Sequence, residues 1–141
     1  MKSNQVIFVS HQYKTTSNTI YNHIQNGLLF KLTGADEIEF EFCAGGAFSL
    51  SFQNRGRIYG KFGSIIPNEE IVLEWNVNGF NREDESTQVK IILNENSEGV
   101  LLNVNHSGIK SSQSFTAKEQ AWKEILTEFG SETENISSNF P

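Results

Sequence analysis

The residue best placed by type and position to do chemistry is His106. It ends a run in which Val100, Leu102 and Val104 alternate with other residues, so a strand would carry the imidazole on their face. There it could hydrogen-bond a ligand's carbonyl or carboxylate, or act as a general base near neutral pH. The alternative, which the sequence favours, is a histidine at the edge of the core, bonded to a backbone carbonyl.

Two tryptophans are the second feature of interest. Trp75 lies in an alternating strand pattern, whereas Trp122 lies on the apolar face of a helix pattern, so the two would face each other. Such a pair could form a wall on which a ligand stacks, although packing in the core is the more common use of facing aromatic rings. Further aromatic side chains predicted on the same inward face are Phe40, Phe48 and Phe62.

Other reactive side chains carry weaker signals. Cys43 is the single cysteine, so no intrachain disulfide can form, and without a neighbouring histidine we predict a small core residue. His11, His23 and His106 fall on separate elements without metal-ligand spacing, which argues against a zinc site. The sequence has no phosphate loop, nucleophile elbow or dinucleotide fingerprint, and we expect no cofactor.

The elements that would position these residues are a first strand, a short helix and a six-stranded meander. Because the meander strands follow one another through short turns, they must pair antiparallel. Gly45-Gly46 is predicted as a tight hairpin turn, and residues 79–85 as a charged loop. The strands are predicted at residues 6–13, 37–42, 48–52, 57–66, 71–77, 88–93 and 100–106.

A strong amphipathic helix would close the domain. A capping box at Thr116–Glu119 predicts its start, and Gly130 its left-handed end. Residues 1–130 would thus form one domain, followed by a polar, flexible tail over residues 131–141. A single helix cannot fill the concavity of a seven-stranded twisted sheet, so we expect a cavity between the helix and the sheet.

The ordered set Gly45-Gly46-Ala47-Phe48, Gly56, Gly60, Pro67 and Ile71-Val72-Leu73-Glu74-Trp75 resembles the START-like (SRPBCC) superfamily. The most similar branch is named for the activator of the ninety-kilodalton heat-shock-protein ATPase, through its Aha-type C-terminal domain. The resemblance implies an α+β helix-grip fold: a seven-stranded curved antiparallel sheet wrapped around a long C-terminal helix, with a hydrophobic cavity between them. Members of the superfamily bind small hydrophobic ligands or act as interaction modules.

Composition excludes several other partners. The 141 residues include 11 Lys and Arg against 17 Asp and Glu, a net charge of −6, and no basic cluster that would indicate a nucleic-acid partner. No apolar run reaches the roughly 20 residues of a membrane span, and the N-terminal run is shorter than the roughly 7–15 residues of a secretory signal. We therefore expect a cytoplasmic protein without a membrane span.

The leading hypothesis is a domain that binds a small hydrophobic or amphipathic molecule between the sheet and the C-terminal helix. One alternative is a chaperone co-factor or protein-interaction module of the heat-shock-protein ATPase activator type. Another is a cyclase-like or hydrolase-like enzyme that uses His106 as acid and base; the sequence leaves catalysis open and favours its absence. The residues predicted to line the ligand site are Phe40, Phe48, Phe62, Trp75, His106 and Trp122.

Overall fold

The computed structural model describes residues 5–138 and, for side chains, residues 5–133. In chain order the elements are β1 (Gln5–Tyr13), α1 (Ser17–Gln25), α2 (Leu28–Lys31), β2 (Glu37–Phe40), β3 (Ala47–Phe52), β4 (Gly56–Ile66), β5 (Glu70–Gly79), β6 (Arg82–Asn96), β7 (Gly99–Ile109) and α3 (Ser112–Ser138). The strands form one antiparallel sheet in the order β1-β7-β6-β5-β4-β3-β2. This confirms the predicted α+β fold, a seven-stranded curved sheet with a C-terminal helix.

The sheet buries one face because its strands alternate apolar and polar side chains. Ile7 of β1 pairs with His106 of β7, and His106 pairs in turn with Val89 of β6, so these three side chains share the inner face. All three are fully buried. Strand alternation therefore places His106 on the inner face, as predicted, but under α3 in the interior of the core instead of at its edge.

The connection between β2 and β3 differs from the predicted tight turn. Phe40, the last residue of β2, pairs with Phe48, so residues 41–46 form a wider loop that hydrogen-bonds the backbone of Phe62 in β4. Cys43 lies in this loop and is exposed. The predicted core position of Cys43 is therefore wrong, because the strand that would have turned its side chain inward ends before it.

The predicted loop at residues 79–85 is also wrong. β5 and β6 meet at a two-residue turn in which Phe80 and Asn81 have φ angles of 59° and 58°, as a hairpin turn of this length requires. Phenylalanine is not typical of a turn residue with a positive φ, so the sequence pattern did not predict the hairpin. The longer β6 places Glu85 within the sheet, where its carboxylate meets α3.

The start of α3 lies one turn before the predicted capping box. The Ser111 hydroxyl accepts a hydrogen bond from the backbone N–H of Ser114 (3.0 Å), which makes Ser111 the N-cap. The Thr116 hydroxyl donates to the carbonyl oxygen of Ser112 within the helix (3.1 Å). Thr116 thus lies inside the helix instead of capping it.

Gly130 does not end the helix, which continues to Ser138. A Cβ atom at Gly130 would lie 3.1 Å from the Tyr13 ring, so glycine lets the helix approach β1 closely. The Tyr13 hydroxyl donates to the carbonyl oxygen of Leu126 (2.7 Å). Gly130 thus allows close packing of the helix. In the sequence, a glycine at this position looks the same as one that ends a helix.

The segment predicted as a flexible tail begins as helix. Ser131 and Glu132 are exposed, but Thr133 is only 1% exposed, so the helix still packs against the domain one turn after Gly130. Residues 139–141 of the predicted tail lie outside the described residues, and the domain boundary at residue 130 stays a prediction.

The hairpin between β6 and β7 offers a test of the packing at the end of β1. Gly99 has a φ of 135°, and a Cβ atom there would lie 2.1 Å from the carbonyl oxygen of Tyr13. We expect Gly99→Ala to lower the free energy of unfolding by about 2 kcal/mol or more, because steric strain adds to the unfavourable φ. Urea denaturation measures this loss.

Gly34→Ala is the matched control. Gly34 also has a positive φ, 84°, but no atom lies within 4 Å of the place that a Cβ would take, so only the conformational cost of about 1 kcal/mol applies. Equal losses in the two variants would contradict close packing at Gly99.

Candidate functional site

A chain of three hydrogen bonds runs through the core between α3 and the sheet. The indole Nε1–H of Trp122 donates to Nδ1 of His106 at 3.0 Å. Nε2 of His106 lies 2.6 Å from the hydroxyl of Thr87. That hydroxyl donates to the carbonyl oxygen of Trp75 at 2.8 Å. The chain therefore joins the helix to β7, β6 and β5.

The donors and acceptors of these hydrogen bonds determine the tautomer of His106. An indole nitrogen can only donate, so Nδ1 accepts and the ring proton lies on Nε2, which donates to Thr87. The imidazole is fully buried and neutral. Burial lowers the pKa of His106 to about 3; the nearby charge of Lys118 lowers it further, and that of Glu85 partly opposes this.

This arrangement differs from both sequence hypotheses for His106. The partners are two side chains rather than a backbone carbonyl, and the ring lies in the interior rather than at the core edge. Both ring nitrogens are already engaged, and a base with a pKa of about 3 accepts protons poorly at neutral pH. The geometry suits a residue that orients Trp122 and fastens α3 to the sheet.

The predicted aromatic residues form a continuous layer behind this chain. Trp75 and Trp122 have ring centroids 5.5 Å apart, and Phe48 lies 5.8 Å from Trp75. Phe62 is 5.8 Å from Phe48. Of the six predicted site residues, Phe48, Phe62, Trp75, His106 and Trp122 are buried, while Phe40 on the edge strand is half-buried.

Phe30 belongs to the same layer, although the sequence pattern did not identify it. It lies in α2 and stacks on Phe48 with centroids 5.0 Å apart and planes inclined by 16°; Phe40 meets its edge at 5.4 Å. The run Leu28–Lys31 has no clear period, so only its apolar composition indicated a core role.

A small void lies inside the aromatic layer. Its volume is about 20 Å³, enough for about one water molecule. The residues that line it are Ile24, Leu29, Phe30, Phe62, Ile71, Leu73, Trp75, Ile91 and Trp122.

A larger cleft of about 190 Å³ opens between α3 and the strands β4 and β5. Trp75 and Trp122 line both the cleft and the void, so the two indoles lie between these spaces. On the helix side, Ala117 and Ala121 leave room because their side chains are short. Further lining residues, most of which the sequence did not indicate, are Thr33, Phe52, Arg55, Ile58, Val77, Phe80, Arg82, His106, Lys118 and Ile125.

A largely buried ion pair lies at one side of the cleft. Lys118 Nζ is 2.9 Å from Glu85 Oε1, which also accepts a hydrogen bond from the Ser114 hydroxyl at 2.8 Å. Burial lowers the pKa of Lys118, and the bond to Glu85 opposes that effect. Burial alone would raise the pKa of Glu85, but the bonds from Lys118 and Ser114 lower it below its ordinary value. The pair holds the first turns of α3 on β6.

The described part of the chain contains neither a metal-binding cluster nor a membrane-spanning helix. No cluster of three or more His, Cys, Asp or Glu side chains there is arranged to hold a metal ion. Nor does that part contain a helix with the length and apolar character needed to cross a bilayer.

Comparison with protein families agrees with this architecture. The family model described as Activator of Hsp90 ATPase homolog 1-like protein matches residues 15–134. The chain belongs to this family. Membership in the Activator of Hsp90 ATPase homolog 1-like family confirms the resemblance to the Aha-type branch of START-like proteins.

Solved structures share the fold of this family member at low sequence identity. MLL2253 from Mesorhizobium loti is 14% identical with a TM-score of 0.82, over 97% of this chain and 100% of that one. CV1439 from Chromobacterium violaceum is 18% identical with a TM-score of 0.78, over 92% and 96% of the two chains. The Aha1 dimer from Colwellia psychrerythraea, solved in solution, is 19% identical with a TM-score of 0.75, over 92% and 96%. No curated protein sequence matches significantly.

The buried neutral state of His106 predicts how stability depends on pH. The pKa of His106 is about 3 in the folded protein against 6.5 for a free imidazole, so the unfolded chain binds the proton more readily. Its contribution to stability is fully present above about pH 6.5 and is lost as the pH falls through about 3. We expect the free energy of unfolding to fall by about 2 kcal/mol between about pH 6 and about pH 4 from this group.

Urea denaturation across this pH range measures the loss, and an NMR titration of the His106 ring assigns it. The ring should stay neutral at about pH 5 while the fold is intact. Protonation near its ordinary pKa without loss of structure would contradict the buried hydrogen-bond chain.

Proposed function

We propose that this protein binds a small hydrophobic or amphipathic molecule in the cleft between α3 and the strands β4 and β5. The observation that carries the proposal is the cleft itself, in which Trp75 and Trp122 meet Ile58, Val77 and Ile125. A concave, mostly apolar surface with a few polar groups is the usual form of a ligand site. Aromatic rings at its inner wall supply contact area for a flat or aliphatic ligand.

The volume of the cleft limits the size of the ligand. Sites for drug-sized molecules typically measure about 300–1,000 Å³, whereas this cleft measures about 190 Å³. A ligand that occupies the cleft alone leaves the core unchanged. A longer ligand would have to displace Trp122 to reach the void beside Phe62, which would cost the hydrogen bond to His106.

The predicted ligand-site residues thus take different roles in the proposal. Trp75 and Trp122 contact the ligand, and His106 holds Trp122 in place. Phe62 would contact only a ligand that enters the void. Phe40 and Phe48 would support the layer from behind.

Tryptophan fluorescence tests the proposal directly, because the chain has two tryptophans and both line the cleft. Titration with short-chain fatty alcohols or naphthalene derivatives should change the emission saturably. Ala121→Leu should weaken binding about tenfold or more by filling the cleft, since displaced apolar contact contributes about 0.8 kcal/mol per methylene group.

Ala47→Leu is the matched control, because Ala47 is exposed on β3 and does not line the cleft. The Ala47→Leu variant should bind the same ligands with the affinity of the unchanged protein. Absence of any saturable response across such a ligand set, or equal effects of the two substitutions, would contradict binding in the cleft.

A role as a chaperone co-factor or protein-interaction module is the second candidate, and the family match supports it by its description. Co-purification with an Hsp90-type chaperone and a change in its ATPase rate would favour this role. The absence of both effects would contradict it.

For either function, we propose that the protein works in the cytoplasm. Its single cysteine, Cys43, is an exposed free thiol, which supports a reducing compartment.

A further inference from the structure

Three cationic side chains line the cleft of a protein whose net charge is −6. They are Arg55 at the turn between β3 and β4, Arg82 at the start of β6, and Lys118 on α3. The two guanidinium groups lie 5.6 Å and 5.9 Å from the centroid of the Phe80 ring. The Phe80 ring favours the approach of both groups, since an aromatic face attracts cations.

The charges of these side chains are not equally available. Lys118 is paired with Glu85 and largely buried. Arg55 and Arg82 are exposed at the cleft, and within the described side chains neither has a carboxylate partner in ion-pair distance. The arginine end of the cleft therefore offers two guanidinium groups beside an apolar wall.

We infer that the ligand of this cleft is a monoanionic amphiphile, an apolar chain or ring that carries one carboxylate. The inference rests on the proposed function and specifies its ligand. The carboxylate lies between Arg55 and Arg82, and the apolar part runs along Trp75 and Trp122 toward Ile125. A guanidinium group presents two parallel N–H donors that match the two oxygens of a carboxylate.

Charge distinguishes this class from the alternatives. A cationic amphiphile would be repelled by the arginines, and a neutral one would leave their donors to water. A polyanion such as a nucleic acid would be repelled by the protein as a whole, because its net charge is −6. A single carboxylate offsets one of the two unpaired arginine charges and leaves the apolar part of the ligand on the tryptophans.

The test compares three ligands with the same chain: decanoate, decanol and decyltrimethylammonium, each used below its aggregation concentration. Tryptophan fluorescence measures their affinities at low salt. We expect decanoate to bind about tenfold more tightly than decanol, because each charged hydrogen bond contributes more than a neutral one, and decyltrimethylammonium more weakly than both. Added salt should reduce the preference.

Arginine variants test whether Arg55 and Arg82 cause the preference for decanoate. Arg55→Gln combined with Arg82→Gln should reduce the preference for decanoate to within about twofold. Both side chains are exposed, so the variant should fold, which circular dichroism verifies. Arg57→Gln is the matched control, because Arg57 lies on the outer face of the sheet, near Ser49 and Tyr59, and should keep the full preference.

The outcomes separate the two proposals. If none of the three ligands binds, the proposed function fails. If decanol binds as tightly as decanoate, the cleft binds apolar molecules but the anionic class is wrong. A preference for decanoate that persists in the double-arginine variant would likewise overturn the carboxylate site.

Discussion

The burial of a neutral histidine between a helix and three strands is the constraint on which the rest of the structure depends. A polar ring in an apolar core is costly unless each of its nitrogens has a partner. Trp122 and Thr87 supply these partners, and the Thr87 hydroxyl donates in turn to the carbonyl oxygen of Trp75. Because each donor meets one acceptor, the chain specifies how α3 lies on the sheet.

Two further contacts hold the same helix on either side of Trp122. Near the start of the helix, Lys118 and Ser114 meet Glu85. In its middle, the Tyr13 hydroxyl reaches the backbone of Leu126, where Gly130 leaves space. The anchoring helix residues Ser114, Lys118, Trp122 and Leu126 recur every four positions and form one stripe. The adjacent stripe, Ala117, Ala121 and Ile125, faces the cleft. The spacing that fastens the helix thus also keeps the cleft open beside it.

Sequence patterns predicted the architecture because alternation and helical periodicity report directly on burial. They placed Phe48, Phe62, Trp75, His106 and Trp122 on the inner face, and the structure buries all five. They failed where a residue does not have the role that its type usually indicates. Gly130 resembles a helix end but packs against Tyr13. Phe80 carries no turn signal, so the two-residue turn was predicted as part of a longer loop.

The partners of His106 and the arginine end of the cleft could not be predicted for a different reason. Thr87 reaches His106 through pairing of β6 with β7, and the turns of two different hairpins bring Arg55 and Arg82 to the same Phe80 ring. These neighbours depend on strand register and turn geometry, on which a single sequence carries little information. Family membership adds the fold, while the lining of the cleft comes from this chain's own side chains.

The state of the Trp122 indole N–H tests the hydrogen-bond chain most directly. NMR can measure its hydrogen exchange and the scalar coupling across its bond to Nδ1 of His106. We expect a measurable coupling and exchange that occurs only when the protein unfolds globally. Rapid exchange without coupling, in the folded protein, would contradict the hydrogen-bond chain that places the helix on the sheet.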